Sequence, residues 1–572
     1  MAVGWTGSMV GCNSVIGLSQ FTIDSTGQAP PHPDADAPDQ GGTSEGGTGE
    51  ADGGAPDAPA GDCVTNVECT QRATAAHAAD GGADGGDGGS GTVPAVCIKT
   101  GGAHCVELLT AECASLVGPY ENDNAILLGT LFTTKGATGS TNVPRQESAT
   151  LAAEQINSAT VGGGIPGPAG PRPIVMVSCD ESSLAASAAH LVDDLHVPAI
   201  VGPNTSQDTL ELSQTVTNAK GTVLMTPTAV ASSIADLADH DLTWLMVPSD
   251  LQRAPLMLKQ LNEMETAVKS DMTRANPAVR LAIVFRDDAL GQGTRASLNS
   301  LTWNGKPLTD PTNYNGMSGN IRIEPYKPTW TDAQWTEMVA RVQAFAPEIV
   351  VVAGTAEGYT KFMAPLEVQL LAANVPRPQY MLIDSNKVGD LLTGIVPATA
   401  ASHAGAGKDA DFRKRVRGTG VISAGTSANV FTNFSVDYMA RYTKPVSNSG
   451  MGPSYDATYA IAYALAATRD LEVSGANVAK GLRRLVSGGT TFEVGPQRAL
   501  KAFNTLAMGN TVNAIGTFAP LEWDQSGSPL GGTLEMWCIG AGASAGTAAY
   551  KTSGLTYDIK SQTYSGTFKA CE

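Results

Sequence analysis

This chain is poor in charge, in aromatic rings and in basic residues toward its beginning. Charged residues make up 16% of its 572 positions and aromatic residues 6%. The net charge of −19 is unevenly spread: residues 1–93 hold thirteen acidic residues against one basic residue, Arg72, which leaves the rest of the chain about −7. With no basic stripe to neutralise phosphates, nucleic acid is excluded as a partner. No run of ~18 apolar residues occurs, so no helical segment of the sequence is apolar enough to span a membrane.

Catalytic signatures are missing too. There is no Gly-x-Ser-x-Gly elbow, no His-Glu-x-x-His pair and no Walker-type Gly-x4-Gly-Lys-Ser/Thr loop. The seven histidines are scattered, and three of them precede the main body. His190 and His196 read as surface or packing residues. A binding protein is expected, not an enzyme, with no metal and no cofactor.

What the chain does have begins with nine cysteines. Met9-Val-Gly-Cys12 resembles a lipobox, the apolar-small-Cys sequence at which bacterial lipoprotein signals are cut, so Cys12 is the expected lipidation site and residues 1–12 read as a truncated signal segment. Residues 13–62 follow as a tether dominated by Gly, Ala, Asp and Pro, and residues 73–93 continue in that style. Such sequence buries too little apolar surface to offset its chain entropy and is expected to stay disordered. The other eight cysteines suit four disulfides and an oxidising compartment, periplasm or cell surface. Five of the eight lie in residues 63–113, inside a small Cys-rich module assigned to 63–122 with a low-complexity insert. No Cys-x-x-Cys occurs, and His104 lacks a nearby His, which argues against a metal site. Cys538 and Cys571 are expected to pair and pin the tail, as are Cys113 and Cys179. Cys63, Cys69, Cys97 and Cys105 then pair among themselves in one of three ways.

The main body alternates strand and helix. Residues 125–131, 174–177, 199–201, 281–285 and 349–352 are β-branched runs, each followed by a turn and an amphipathic stretch. Continuous apolar strands of this kind form parallel sheets covered on both faces. The pattern breaks at Met246-Val-Pro-Ser-Asp250 and restarts, which implies two α/β lobes with a cleft between them. From Gly516 the sequence changes again, with Phe518, Leu521, Trp523, Leu534, Met536 and Trp537 among glycines and a turn at Asp524-Gln-Ser-Gly527, as in a hairpin.

In order along the chain, Gly129-Thr-Leu, Ala153-Glu-Gln-Ile-Asn157, Ala199-Ile-Val-Gly-Pro203, Met225-Thr-Pro-Thr-Ala229, Val247-Pro-Ser-Asp250, Asp287-Asp-Ala-Leu-Gly-Gln-Gly293 and Ser454-Tyr-Asp-Ala457 resemble type I periplasmic binding proteins, within them the leucine and branched-chain amino acid receptors of ABC transporters. The resemblance covers roughly residues 123–540. It implies two Rossmann-like lobes joined by three hinge crossovers, near 247–250, 384–387 and 422–427. Lobe 1 would comprise 123–247 and a return at 385–425. Lobe 2 would comprise 248–384 and a return at 426–515, and 516–572 would form a C-terminal hairpin and tail. It also implies a small polar ligand, an amino acid, amide or relative, delivered to an ABC permease. A sensory or structural surface lipoprotein is the alternative, with a membrane sensor as partner or no ligand at all.

Ligands of doubly wound sheets sit beyond the carboxyl ends of the strands. Thr205 and Ser206 open the helix after strand 199–201, and Thr228 and Ala229 follow the next strand; in the resembling receptors these two segments hold the ligand's carboxylate. Thr205 and Asp208 also have capping-box spacing, so capping alone would account for Thr205. From the other lobe Asp287, Asp288 and Asp384 are placed to meet an ammonium group. Leu290 and Thr355 stand where the family has aromatic walls, Val230 where it has a hydroxyl, and Ser385 where it has a Glu. These departures leave the ligand open. Mass spectrometry of the protein from its native membrane is expected to find a diacylglyceryl Cys12 as the first residue; an intact chain starting at Met1 in the cytoplasm would contradict the lipobox reading.

Overall fold

The computed structural model describes residues 63–80, 91–271, 276–314, 319–395, 409–544 and 547–571. Cys12, the signal segment and the 13–62 tether lie outside the described residues. The Cys-rich module is a helix, α1 (Asn66–Asp80), against a hairpin of β1 (Ala95–Ile98) and β2 (His104–Glu107). Cys63–Cys97 and Cys69–Cys105 staple helix to hairpin, and Ala73 and Ala95 pack between the bridges. Residues 73–80 are therefore helical, contrary to their composition: the bridges supply the stability that so small an apolar core cannot. Asn66 fastens the module to the body. Its N–H donates to Asp123, its side-chain amide to the Tyr120 carbonyl, and its side-chain oxygen accepts from Cys97 N–H.

The first lobe is a six-stranded sheet built from β3 (Ser115–Val117), β4 (Ile126–Phe132), β5 (Ile174–Asp180), β6 (Ala199–Val201), β7 (Val223–Thr226) and β8 (Thr243–Leu245), in the order β8-β7-β6-β4-β5-β3. All neighbours are parallel except β3, which runs antiparallel along β5. A boundary at residue 122 is thus wrong by one strand: β3 belongs to this sheet, and Cys113–Cys179 locks its approach to the end of β5. The all-apolar runs are explained by burial on both faces, with α2 (Gly139–Ile156) on one side and the helical stretch 184–194 on the other. The helix α3 (Ser206–Leu212) starts a helical stretch that ends at Gly221, whose φ of 72° is the left-handed stop a glycine gives without strain.

Crossing into the second lobe, α4 (Asp250–Lys269) precedes β9 (Leu281–Arg286), α5 (Ala289–Ser297), β10 (Ile321–Tyr326), β11 (Ile349–Ala353), β12 (Gln379–Leu382) and β13 (Val416–Ile422). The sheet order is β10-β9-β11-β12-β13, all parallel. It is extended by antiparallel β14 (Thr533–Ala541), β15 (Ala548–Asp558) and β16 (Thr563–Ser565). Cys538–Cys571 ties the tail to β14. The hairpin of the tail is β14–β15; the 524–527 turn lies ahead of it, closed by a single bridge between Trp523 and Pro529.

This topology corrects the division of the chain. Residues 384–387 are no crossover, because β12 and β13 on either side of them pair within one sheet. Residues 385–395 and 409–422 therefore belong to the second lobe. Residues 426–515, including α6 (Thr426–Tyr442) and α7 (Met451–Ala467), pack against α2 in the first. The antiparallel strands β14, β15 and β16 at the end of the second sheet require one further passage, and the crossovers run through 246–250, 422–426 and 516–533. The three are tied together. Ser423 donates to the Thr517 carbonyl, Leu245 N–H to Gly527, the Trp523 indole to Leu245 and Gln252 to the Pro529 carbonyl.

Buried acids hold two of the crossovers. Asp456 on α7 accepts both the N–H and the hydroxyl of Thr517 at 2.7 Å. Asp250 opens α4, accepts the Thr294 hydroxyl and gives its N–H to the Val230 carbonyl. Burial pushes each carboxyl up to about 7, against the pull of Thr517 on Asp456 and of Arg253 and Thr294 on Asp250. An acid raised in this way binds its proton more tightly in the folded chain. Its stabilising effect is complete below the unfolded value of about 3.9 and is lost as pH rises through about 7. The melting temperature is expected to fall from about pH 5 to pH 8, and Asp456→Asn to flatten that fall. A melting temperature that rises over this interval would count against both assignments.

Candidate functional site

The first sheet reverses its winding between β4 and β6, and the second between β9 and β11. These switch points are where an α/β sheet leaves a crevice beyond its strand ends. At the first, one carboxylate spans the gap. Glu181, directly after β5, accepts the Asn204 N–H at 2.9 Å and the Thr205 N–H at 3.0 Å on one oxygen. Its other oxygen accepts the N–H and hydroxyl of Thr133 at 3.1 and 3.2 Å. Glu181 is 3% exposed. Burial and the adjacent Asp208 push it up to about 8, against the backbone donors of Thr205 and Asn204.

The hydroxyls expected to grip a ligand are engaged here as well. Thr205 caps α3, accepting the Asp208 N–H at 3.1 Å and donating to its carboxylate at 2.7 Å. Ser206 is buried and accepts the N–H groups of Val230 and Ala231 at 3.1 and 3.2 Å. Thr228 donates to the backbone and side-chain oxygens of Asn204. Ala229 is buried in a small apolar cluster with Ala231, Ile234 and Leu245. These four residues come together, and their side chains knit the two loops to each other.

The second switch point mirrors the first. Glu357 accepts the Tyr326 hydroxyl at 3.0 Å and the Thr355 N–H at 3.1 Å on one oxygen, and the Thr355 hydroxyl on the other. Arg286 at the end of β9 lies 2.5 Å from Asp288 and 3.8 Å from Glu357. Asp288 also caps α5 through Gly291 N–H at 3.2 Å. Ser385 donates to the Gly354 carbonyl at 2.7 Å, and Asn386 to the Thr355 carbonyl at 3.1 Å. Thr355 and Ser385 are thus neighbours. Leu290 turns away, packed partly buried against the core under β9.

Between the lobes stand two arginines and Asp384. Arg253 on α4 pairs with Asp384 at 3.2 Å and donates to the Pro248 carbonyl at 2.8 Å, joining the first crossover to the end of β12. The other Asp384 oxygen is buried and accepts no hydrogen bond among the described residues. Arg145 on α2 is held by the side-chain oxygens of Asn142, Asn204 and Asn448. Burial lowers its pKa to about 10, and the charges of Asp384 and Glu181 act in the opposite direction, so it stays cationic at neutral pH. Next to this set the lobes touch: a Cβ on Gly293 of α5 would stand 3.3 Å from the Ala231 Cα and 2.4 Å from an Asp250 oxygen.

Reading the sequence alone misses Glu181, Glu357, Arg145 and Arg253. Glu181 had a signal, since Cys179-Asp-Glu181 ends a strand in the same way as the candidates that were chosen. Arg145 had none, because its partners lie up to 303 residues away in the chain.

The sequence matches no protein-family model and no curated protein. Among solved structures, a leucine-binding protein of Thermotoga maritima superposes with a TM-score of 0.52 at 12% identity, covering 75% of this chain and 98% of that one. An ABC transporter substrate-binding protein of Desulfitobacterium hafniense gives 0.48 at 16% identity, over 75% of this chain and 100% of that one. A solute-binding protein of R. palustris in complex with benzoate gives 0.47 at 15%, over 75% and 96%. The likeness to the Thermotoga maritima protein, at 12% identity, speaks for architecture alone. This chain has the fold of the type I periplasmic substrate-binding proteins.

Proposed function

We propose that this protein is an extracytoplasmic solute-binding protein that holds a small polar solute between its lobes for ABC-type uptake. The observation that carries the reading is that the carboxyl-end loops of the two sheets meet: Gly293 of α5 lies against Ala231 beyond β7, and Arg145 on α2 lies in the field of Asp384 beyond β12. Thr205, Ser206, Thr228 and Ala229 would border the solute from the first lobe, and Asp288, Thr355, Asp384 and Ser385 from the second. Four disulfides favour a compartment outside the cytoplasm, and a lipid at Cys12 would keep the protein at the membrane beside its permease.

A second reading has its own support. The hydroxyls of Thr205, Ser206 and Thr228 already have partners within the first lobe. That is what a sensory or structural surface protein would show if it kept the fold and lost the solute.

A thermal-shift screen with amino acids, amides and short organic acids separates the two. A true solute at ~100 times its dissociation constant adds about 2.7 kcal/mol of stability; no shift from any class favours the second reading. Ser206→Ala is expected to lower stability by about 1–3 kcal/mol in denaturant melts without any solute, because two buried N–H groups lose their acceptor. An unchanged denaturation midpoint would show that Ser206 is free for a ligand after all.

A further inference from the structure

The first switch point is already occupied from within. The N–H groups of Asn204 and Thr205, at the start of the helical stretch from 206 to 220, are donors that an incoming anion would use, and the Glu181 carboxylate sits on both. Thr133, at the end of β4 on the far side of the crevice, supplies two more donors to the same carboxylate. An incoming carboxylate would have to displace a group tethered at this spot by β5. It would also meet like charge. Asp208 lies on α3 and Asp180 beside Glu181 on the strand, while Asp384 looks in from the second lobe. The cations nearby are committed: Arg253 pairs with Asp384, and Arg145 lies in the field of Asp384 and Glu181.

We propose that Glu181 is a specificity-determining residue: it fills the carboxylate position of the first lobe, so that the cleft takes solutes that are neutral or cationic at that end, such as amides or amines, and turns free carboxylates away. This rests on the solute-binding reading for its meaning, but its chemistry can be tested without a native solute. Glu181→Ala leaves four converging donors with no acceptor, and acetate is the fragment removed.

The experiment is a melting titration of the wild type and Glu181→Ala with sodium acetate against sodium chloride at equal ionic strength, together with calorimetry of the wild type with leucine and leucinamide. Glu181→Ala is expected to melt lower and to recover saturably with acetate, binding it roughly tenfold or more tightly than the wild type. Wild type is expected to give no heat with leucine. Acetate that stabilises both proteins alike overturns the proposal, as does leucine binding to the wild type. If Glu181→Ala does not fold, Glu181→Ser takes its place. Its short side chain also vacates the space between the Asn204, Thr205 and Thr133 donors, so it should bind acetate more tightly than the wild type; equal exclusion of acetate by both overturns the proposal. Failure of every solute with the wild type, alongside acetate rescue of Glu181→Ala, would sink the transport reading and leave the role of Glu181 standing.

Discussion

The structure depends on how three chain passages between the lobes are held to one another. Each lobe is a mostly parallel sheet covered on both faces, and the passages between them help to set how the lobes stand. Thr517 is the meeting point. Its N–H and hydroxyl go to Asp456 in the first lobe's helical layer, and its carbonyl accepts from Ser423 in the second passage. The first passage joins through Leu245, whose N–H reaches Gly527 and whose carbonyl takes the Trp523 indole.

On this frame the two lobes solve the same problem alike. A doubly wound sheet leaves strand-end N–H groups around its switch point, and buried donors need acceptors. Here a glutamate supplies them in both lobes, Glu181 in one and Glu357 in the other. Both glutamates come from the chain just beyond a sheet strand, so each crevice is completed by its own lobe. The polar groups at both switch points therefore have their first obligations within their own lobes.

Much of the architecture was legible in the sequence because burial on both faces leaves a plain signature. The runs Ile174-Val-Met-Val177 and Ile349-Val-Val-Val352 allow little else. The break at Met246-Val-Pro-Ser-Asp250 marked the first passage. The later passages were harder. Asp384-Ser385 ends a strand as a hinge would, and only the pairing of β12 with β13 shows that the chain stays in its sheet. The helix at 66–80 was hidden because its stability comes from disulfides and not from an apolar stripe. Around the cleft, the candidate positions Thr205, Ser206 and Thr228 were placed at strand ends correctly. Their partners could not be read, since Glu181, Asn204 and the 230–231 backbone reach them through the fold and not through local spacing.

The fastening of the Cys-rich module through Asn66 has a mechanical consequence. The two bridges of the module cannot unravel under load, and Asn66 grips residues 120 to 123, just ahead of β4. A pull from the N-terminal side is therefore delivered to the first lobe as a rigid handle.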